Sequence, residues 1–234
     1  MNLRERFDRP LPSWTKDIKS EVYARIISAP FAEACRQGNR EVMKKLVVEL
    51  WPFVEVFPGI VERGYRKLLN PSFFLKYGPV DMVQLLRRAM HVLKDIKQDE
   101  KEHRNLWLDT GSSLGLRYST DFEKEPLPQV KLWLDSVTRS SNPSETFLSF
   151  VAIEMIAESV SRNFLASEKF TSVLGKEGSR WFTVHTIDHG DESHENLEFC
   201  LAFTFYEGEA DKETASRPIQ YVVSRFLDAA NVCV

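Results

Sequence analysis

The chain has 234 residues, of which 43% are hydrophobic and 28% are charged, with a formal net charge of −3. This composition supplies a sizeable buried core and excludes an intrinsically disordered chain. The slightly acidic balance excludes the basic surface that nucleic-acid-binding proteins use. No apolar run is long enough to span a membrane, and the N-terminus lacks the apolar segment of a secretory signal. We therefore expect a cytoplasmic protein that binds neither nucleic acid nor membrane.

Residues 1–15 are predicted to form an extended N-terminal arm. A first helix is predicted over residues 15–37, with a break near Pro30. A second helix is predicted over residues 39–69, with Asn39 as its N-cap, because a short polar side chain can accept the first unpaired amide hydrogens of a helix.

Prolines mark the helices that follow. Pro52 and Pro58 lie inside the second predicted helix and are expected to kink or divide it, because proline removes a backbone donor. Pro79 is placed to open a third helix, which runs to about residue 106. Apolar residues in that helix recur at three- and four-residue steps, which predicts one buried face.

Four more helices are predicted in the C-terminal half: a short one after Pro128, one over residues 147–164, one over 181–206 that is interrupted near Gly190, and one over 213–230. No strand pattern competes with them. The sequence therefore predicts an all-α fold, a seven-helix bundle formed as one domain by residues 16–234.

Two acid–histidine steps lie on predicted helices, Glu100 with His103 and Asp191 with His194. Residues three apart share one face of a helix, so each step can present a carboxylate and an imidazole to one ion. Spacing alone is weak evidence, because two such steps arise by chance in roughly one chain in six. The alternative is that both pairs are solvated surface contacts.

Glu154 lies in an almost wholly apolar stretch of the fifth helix, and Glu158 follows one turn later. A buried carboxylate needs a partner, because an unpaired buried charge costs several kcal/mol. Glu154 is therefore predicted to bridge two ions, with Glu158 as its alternate. The competing prediction is that Glu154 faces solvent or pairs with an arginine such as Arg162.

Three of the five histidines lie within ten residues, at His185, His189 and His194. His185 and His194 are nine positions apart, which places them on opposite sides of an ideal helix. A break or π-bulge at Gly190 would let both face one site.

The sequence resembles the heme-oxygenase-like diiron oxidases and oxygenases. The resemblance is carried by the stretches Asp99-Glu-Lys-Glu-His103-Arg-Asn-Leu-Trp107, Leu114-Gly-Leu116, Phe182-Thr-Val-His185 with Asp191-Glu-Ser-His194, and Trp51-Pro-Phe-Val-Glu-Val-Phe-Pro58. The superfamily includes the Chlamydia protein associating with death domains, and its fold also occurs in TenA and in pyrroloquinoline quinone synthase C. The resemblance spans roughly residues 31–205.

The resemblance implies a heme-oxygenase-like bundle that binds no heme but holds two iron ions, with manganese as the alternative metal. It implies metal ligands at Glu100, His103, Glu154, His185, Asp191 and His194. The family spaces its last ligands as H-x3-D-x2-H, whereas two extra residues separate His185 from Asp191 here. Asp188 and His189 are therefore alternates to His185.

The family chemistry implies O2 as a co-substrate and oxidation or cleavage of a small organic substrate. Aromatic residues near the predicted ligands are candidate pocket walls: Phe73, Phe74, Trp107, Phe147 and Phe150. They favour a fatty-acid-like or amino-acid-like substrate. The resemblance leaves open whether the chain forms a homodimer.

Two rival functions use the same bundle. One is a metal-free enzyme similar to TenA or pyrroloquinoline quinone synthase C; its TenA-like form would need a cysteine nucleophile, for which Cys35 and Cys200 are the candidates. The other is a non-catalytic binding protein.

Overall fold

The structure is a computed structural model that describes residues 3–187, 194–206 and 211–234. The helices of the N-terminal half are α1 Leu3–Phe7, α2 Trp14–Ile27, α3 Pro30–Arg36, α4 Arg40–Arg66, α5 Pro71–Tyr77, α6 Pro79–Ser113 and α7 Tyr118–Asp121, with a 3-10 turn at Lys67–Leu69. Those of the C-terminal half are α8 Pro128–Thr138, α9 Pro143–Leu165, α10 Glu168–Gly178, α11 Arg180–Val184, α12 His194–Thr204 and α13 Lys212–Asn231. The described ranges contain no strand, so the all-α prediction is confirmed.

The seven-helix count is wrong, because the described residues form thirteen α-helical segments. The helices predicted over residues 39–69, 79–106, 147–164 and 213–230 are present as α4, α6, α9 and α13. The described part of residues 181–206 forms the two short helices α11 and α12. Asn39 caps α4 as predicted, with its side chain accepting from the Val42 amide. Residues 1–15 are not wholly extended either. The short helix α1 buries Leu3 and Phe7, which share one face, against the bundle.

Helix α4 continues through both of its prolines, so of the two predicted outcomes, a kink or a division, the division does not occur. A proline inside a helix costs about 3 kcal/mol. Around Pro52 and Pro58 the helix buries Trp51, Phe53 and Phe57. Burial of large aromatic side chains contributes about 1.5–3 kcal/mol each, which offsets that cost.

Helix α9 is the central element of the bundle. It is apolar on nearly every side, as expected for a helix surrounded by others. It packs against α2, α12 and α13, while α4 packs against α6. Helix α6 is anchored to α4 by a buried hydrogen bond of 2.9 Å from the Trp107 indole to the Val47 carbonyl. Carboxylates on α6 and α9 thereby lie inside the bundle.

The described parts of the chain contain no helix that is both long and apolar enough to cross a bilayer.

Candidate metal centre

Helix α6 places Glu100 and His103 on its buried side, one turn apart. Glu100 is 9% exposed, and its Oε1 lies 3.4 Å from Nδ1 of His103. That distance is an ion-pair contact, and Nδ1 is buried without a hydrogen-bond partner. The first predicted acid–histidine step is therefore inside the protein rather than on its surface.

Helix α12 begins at His194, and the imidazole of this residue lies between two carboxylates. Nδ1 of His194 is 3.8 Å from Oε1 of Glu154 on α9, and Nε2 is 3.3 Å from Oδ2 of Asp99 on α6. Glu154 is largely buried, with 17% of its side chain exposed. His194 therefore joins the two helices that carry the carboxylates.

His185 caps the C-terminus of α11 and faces the first step. Its Nδ1 lies 2.6 Å from the Trp181 carbonyl, so the neutral ring donates from Nδ1 and keeps Nε2 unprotonated. Its ring centroid is 4.3 Å from that of His103 and 4.0 Å from that of Trp181. Histidine ligands of metals usually donate their other N–H to such a carbonyl or to a carboxylate.

His185 is the C-cap residue that follows α11, whereas His194 begins α12. The angular conflict expected for one continuous helix therefore does not arise, because each helix sets the direction of its own histidine. Asp188, His189, Gly190 and Asp191 lie outside the described residues, so the predictions made for them remain predictions.

The pKa values of the buried carboxyls follow from burial and from the nearby imidazoles. Burial raises the pKa of Glu100, against the lowering effect of His103. Burial also acts to raise the pKa of Glu154, but the contact with His194 and the charges of the other imidazoles lower it overall. Glu154 is therefore the carboxylate held in its charged form.

The three imidazoles differ in charge. Burial acts to lower the pKa of His194, but the neighbouring Glu154 and Asp99 raise it to about 9. Glu100 outweighs burial in the same way and raises the pKa of His103. For His185, burial and the charge of His103 lower the pKa to about 3. His185 is therefore the imidazole that stays neutral, whereas His194 is predisposed to hold a proton.

Glu198 is a candidate residue that the sequence analysis missed. It lies on α12 one turn after His194, is 1% exposed, and has both carboxyl oxygens buried without a hydrogen-bond partner. Burial raises its pKa well above the ordinary value, with further increases from the charges of Glu154 and Glu100. The only sequence signal was its four-residue spacing from His194, in a stretch that otherwise reads as apolar core.

Glu158 does not point at the imidazoles. Its Oε2 lies 2.5 Å from Nζ of Lys19, and its Oε1 accepts a 2.7 Å hydrogen bond from Nε of Arg162. The arginine that was considered as a partner for Glu154 therefore pairs with Glu158.

Two cavities meet at this cluster, and His103, Glu154 and His185 line both of them. The outer cavity, about 810 Å³, is open and also lined by charged residues, among them Lys19, Asp99, Glu102, Glu158, Arg162, His194 and Glu195. The inner cavity, about 70 Å³, extends into the core between apolar and aromatic side chains such as Phe31, Phe53, Phe57, Trp107, Trp133, Trp181 and Phe226. The cluster therefore separates a polar space from an apolar one.

Of the five predicted pocket walls, Trp107 lines the inner cavity. Phe147 and Phe150 are fully buried in the core, where Phe150 contacts Phe57. Phe73 lies on α5 and contacts Phe205, and Phe74 is partly buried on the same helix. These four line neither cavity.

Within residues 3–187, 194–206 and 211–234, no group of three His, Cys, Asp or Glu side chains is already arranged to hold an ion. Each imidazole instead contacts a carboxylate or a carbonyl of its own. The cluster thus brings nitrogen and oxygen donors close together, but in the described residues they do not point at one shared ion position.

No known family profile matches this chain, and no curated protein matches it. Its structure is similar to the crystal structure of a TenA homologue from Pseudomonas syringae pv. tomato strain DC3000, with a TM-score of 0.68 and 16% sequence identity. The match covers 95% of this chain and 91% of the other. The chain therefore has the all-helical fold of TenA.

Proposed function

We propose that this protein is a non-heme diiron oxidase or oxygenase acting on a small organic substrate. The observation that carries the proposal is the meeting of His103, His185 and His194 with buried carboxylates at the junction of the two cavities. Imidazole and carboxylate together are the donors that iron and manganese sites use.

Side chains of the cluster fit such a centre in two respects. The Glu198 carboxyl is fully buried with neither oxygen partnered, which is costly unless a cation or a proton occupies the site. His185 already donates Nδ1–H to a carbonyl, which leaves Nε2 free to bind. In the contacts of His103 and His194, imidazole nitrogen and carboxylate oxygen atoms lie 3.3–3.8 Å apart, so both kinds of donor are already close together.

Residues that would hold the ions are Glu100, His103, Glu154, His185, His194 and Glu198, and the prediction for Asp191 stands beside them. Bound iron would supply the means of activating O2 for substrate oxidation. The manganese alternative uses the same donor set.

The side chains around the cluster orient His185 and form the apolar wall of the inner cavity. Trp181 and its carbonyl fix the ring of His185. Trp107 packs edge-on against Trp181, with ring centroids 4.7 Å apart, and both line the inner cavity. An apolar wall of this kind excludes bulk water and lowers the local dielectric.

The two cavities favour a substrate with one polar and one apolar end. A small apolar group would fill the inner cavity, while a polar or charged group would remain in the outer one. Amino-acid-like molecules have this form. Of a fatty-acid-like molecule, the inner cavity of about 70 Å³ would hold only a few carbon atoms. Oxidation would then occur at the carbon atoms next to the polar group of the substrate, because the cluster lies at the boundary between the two cavities.

The shared fold favours the alternative of a metal-free TenA-like enzyme. That alternative needs a nucleophilic cysteine in the pocket, and the positions of the thiols do not support one. None of the three cysteines lines either cavity at the cluster. Burial raises the pKa of Cys35 and of Cys233 to about 12, which keeps both thiols protonated. A protonated thiol is a poor nucleophile.

Anaerobic iron loading tests the proposal. Metal-free protein is titrated with Fe(II), the bound iron is counted, and O2 uptake is recorded after exposure to air. We expect about two irons in the wild type, loss of binding in a His103→Ala/His194→Ala double variant, and no change in a His91→Ala control on the exposed side of α6. Absence of iron binding, or unchanged binding in a folded double variant, contradicts the proposal.

A further inference from the structure

Lys19 on α2 binds carboxylates from two other helices at the edge of the outer cavity. Its Nζ lies 2.5 Å from Oε2 of Glu158 on α9 and 2.9 Å from Oε2 of Glu195 on α12. The exposed fractions of the three side chains are 38%, 20% and 12%, so the group is partly shielded from water. Shielded charge pairs are stronger than exposed ones, because the effective dielectric constant is lower.

Each carboxylate partner lies next to a residue of the candidate metal centre. Glu195 directly follows His194 in the first turn of α12, and Glu158 lies one turn after Glu154 on α9. Arg162 holds the second oxygen of Glu158, which fixes the orientation of that carboxylate. Lys19 therefore ties together the two helix segments that carry Glu154 and His194.

We infer that Lys19 is a positioning residue, which holds the start of α12 against α9 and so keeps His194 within reach of Glu154 for a divalent cation. The inference rests on the proposed metal centre. Lys19 acts through Glu195 and Glu158 and contacts none of the residues proposed above to hold the ions.

Replacing Lys19 removes both a positioning contact and a positive charge, and these two losses change metal affinity in opposite directions. Removing the ammonium group leaves Glu195 uncompensated and Glu158 paired with Arg162 alone. The extra negative charge near the site attracts a divalent cation more strongly. Loss of positioning separates the ligands and weakens binding. The direction of the change in affinity therefore distinguishes a positioning residue from a mere counter-charge.

The test uses the full chain and Co(II), with affinity measured by chelator competition and ligand-field absorption. Lys19→Met is compared with Lys19→Arg, which keeps the charge, and with Lys16→Met, an exposed lysine on the same helix. We expect Lys19→Met to weaken Co(II) binding about 10-fold, the scale seen for residues that orient metal ligands. Lys19→Arg is expected to remain within about 3-fold of the wild type, and Lys16→Met to be unchanged.

Hydrogen exchange in the metal-free protein gives a second readout. Amides of residues 194–200 should exchange faster in Lys19→Met than in the wild type, while those of α4 should not change. The Glu195→Gln and Lys19→Met changes both break the contact between Lys19 and Glu195. The double variant should therefore bind Co(II) no more weakly than the weaker-binding of the two single variants.

Equal or tighter Co(II) binding by Lys19→Met overturns the inference. A wild-type protein that binds no Co(II), Fe(II) or Mn(II) overturns the proposed function. In that case unchanged exchange at residues 194–200 would also show that Lys19 does not hold α12.

Discussion

The imidazole rings of His103 and His185 lie with their centroids 4.3 Å apart, yet they have opposite protonation tendencies. The contact with Glu100 raises the pKa of His103, whereas burial and the charge of His103 lower the pKa of His185. One ring of the pair is thus predisposed to carry a proton and the other to remain neutral. This difference has a measurable effect on stability.

The metal-free protein should lose stability below pH 6.5 because of His185. The pKa of His185 is about 3 in the folded protein and about 6.5 in an unfolded chain, so only the unfolded state takes up the proton as the pH falls between these values. At pH 4.5 this loss amounts to about 2–3 kcal/mol of unfolding free energy. It can be measured by urea denaturation at pH 6.5 and 4.5.

His185→Gln is the matched control, since it cannot titrate. Between pH 6.5 and pH 4.5, the free energy of unfolding should fall by about 2–3 kcal/mol more in the wild type than in the variant. Parallel losses in the two proteins would show that His185 is not held neutral.

Glu198→Gln should have opposite effects on stability and on metal binding. The folded-state pKa of Glu198 is raised, so the folded protein loses stability as the pH rises above the usual carboxyl value. The neutral amide removes this loss, and metal-free Glu198→Gln should be more stable than the wild type by about 1–3 kcal/mol at pH 8. Fe(II) affinity should fall at the same time.

Glu125→Gln serves as the comparison for Glu198→Gln. Glu125 precedes α8, has 90% of its side chain exposed, and lines neither cavity. The change at Glu125 should alter neither stability nor Fe(II) affinity appreciably. If Glu198→Gln behaves like Glu125→Gln, the buried carboxyl has no special role.

Gly64→Ala should destabilise the contact between α4 and α9. A Cβ atom at Gly64 would lie 2.5 Å and 2.6 Å from two ring carbons of Phe150, which is fully buried and cannot move freely. Overpacking of this kind costs about 1–3 kcal/mol. The free energy of unfolding from urea denaturation checks the expectation.

Gly59→Ala is the control on the same helix, because its Cβ would meet only the flexible end of Arg63 at 3.4 Å. Alanine is the better helix former by about 1 kcal/mol, so this variant should be as stable as the wild type or more so. A Gly64→Ala protein as stable as Gly59→Ala would contradict the close packing of these helices.

The cysteines should be dispensable for the proposed chemistry. Cys35 and Cys233 are buried and Cys200 is partly buried, so a thiol reagent at pH 8 should modify Cys200 before the other two. A triple cysteine-to-alanine variant should keep its iron uptake. Lost iron binding in a folded triple variant, or rapid modification of Cys35, would favour the thiol-based alternative.

Helix positions were predictable where local signals agree with packing. Asn39 and Pro79 mark the starts of α4 and α6 as expected, because capping and the fixed φ of proline act within one turn. Local signals could not decide whether Pro52 and Pro58 kink α4 or divide it. The outcome depends on the burial of aromatic side chains by helices that are distant in the sequence.

The candidate site shows the same limit. Glu100, His103 and Glu154 could be singled out by spacing and by an apolar context. Glu198 could not be singled out, because the sequence of an apolar helix does not show whether a glutamate in it faces a cation or only apolar side chains. The role of Lys19 depends on three helices meeting at one point, which no local pattern encodes.

X-ray absorption at the iron edge, on protein loaded anaerobically with Fe(II), tests the metal centre most directly. We predict nitrogen and oxygen neighbours with the multiple scattering of imidazole, and a second iron at about 3.5–4 Å, the usual separation in two-metal sites. The specifically bound iron, and with it the imidazole signal, should be lost in the His103→Ala/His194→Ala variant. Sulfur neighbours, a single isolated iron, or no specifically bound iron would contradict a diiron centre at this cluster.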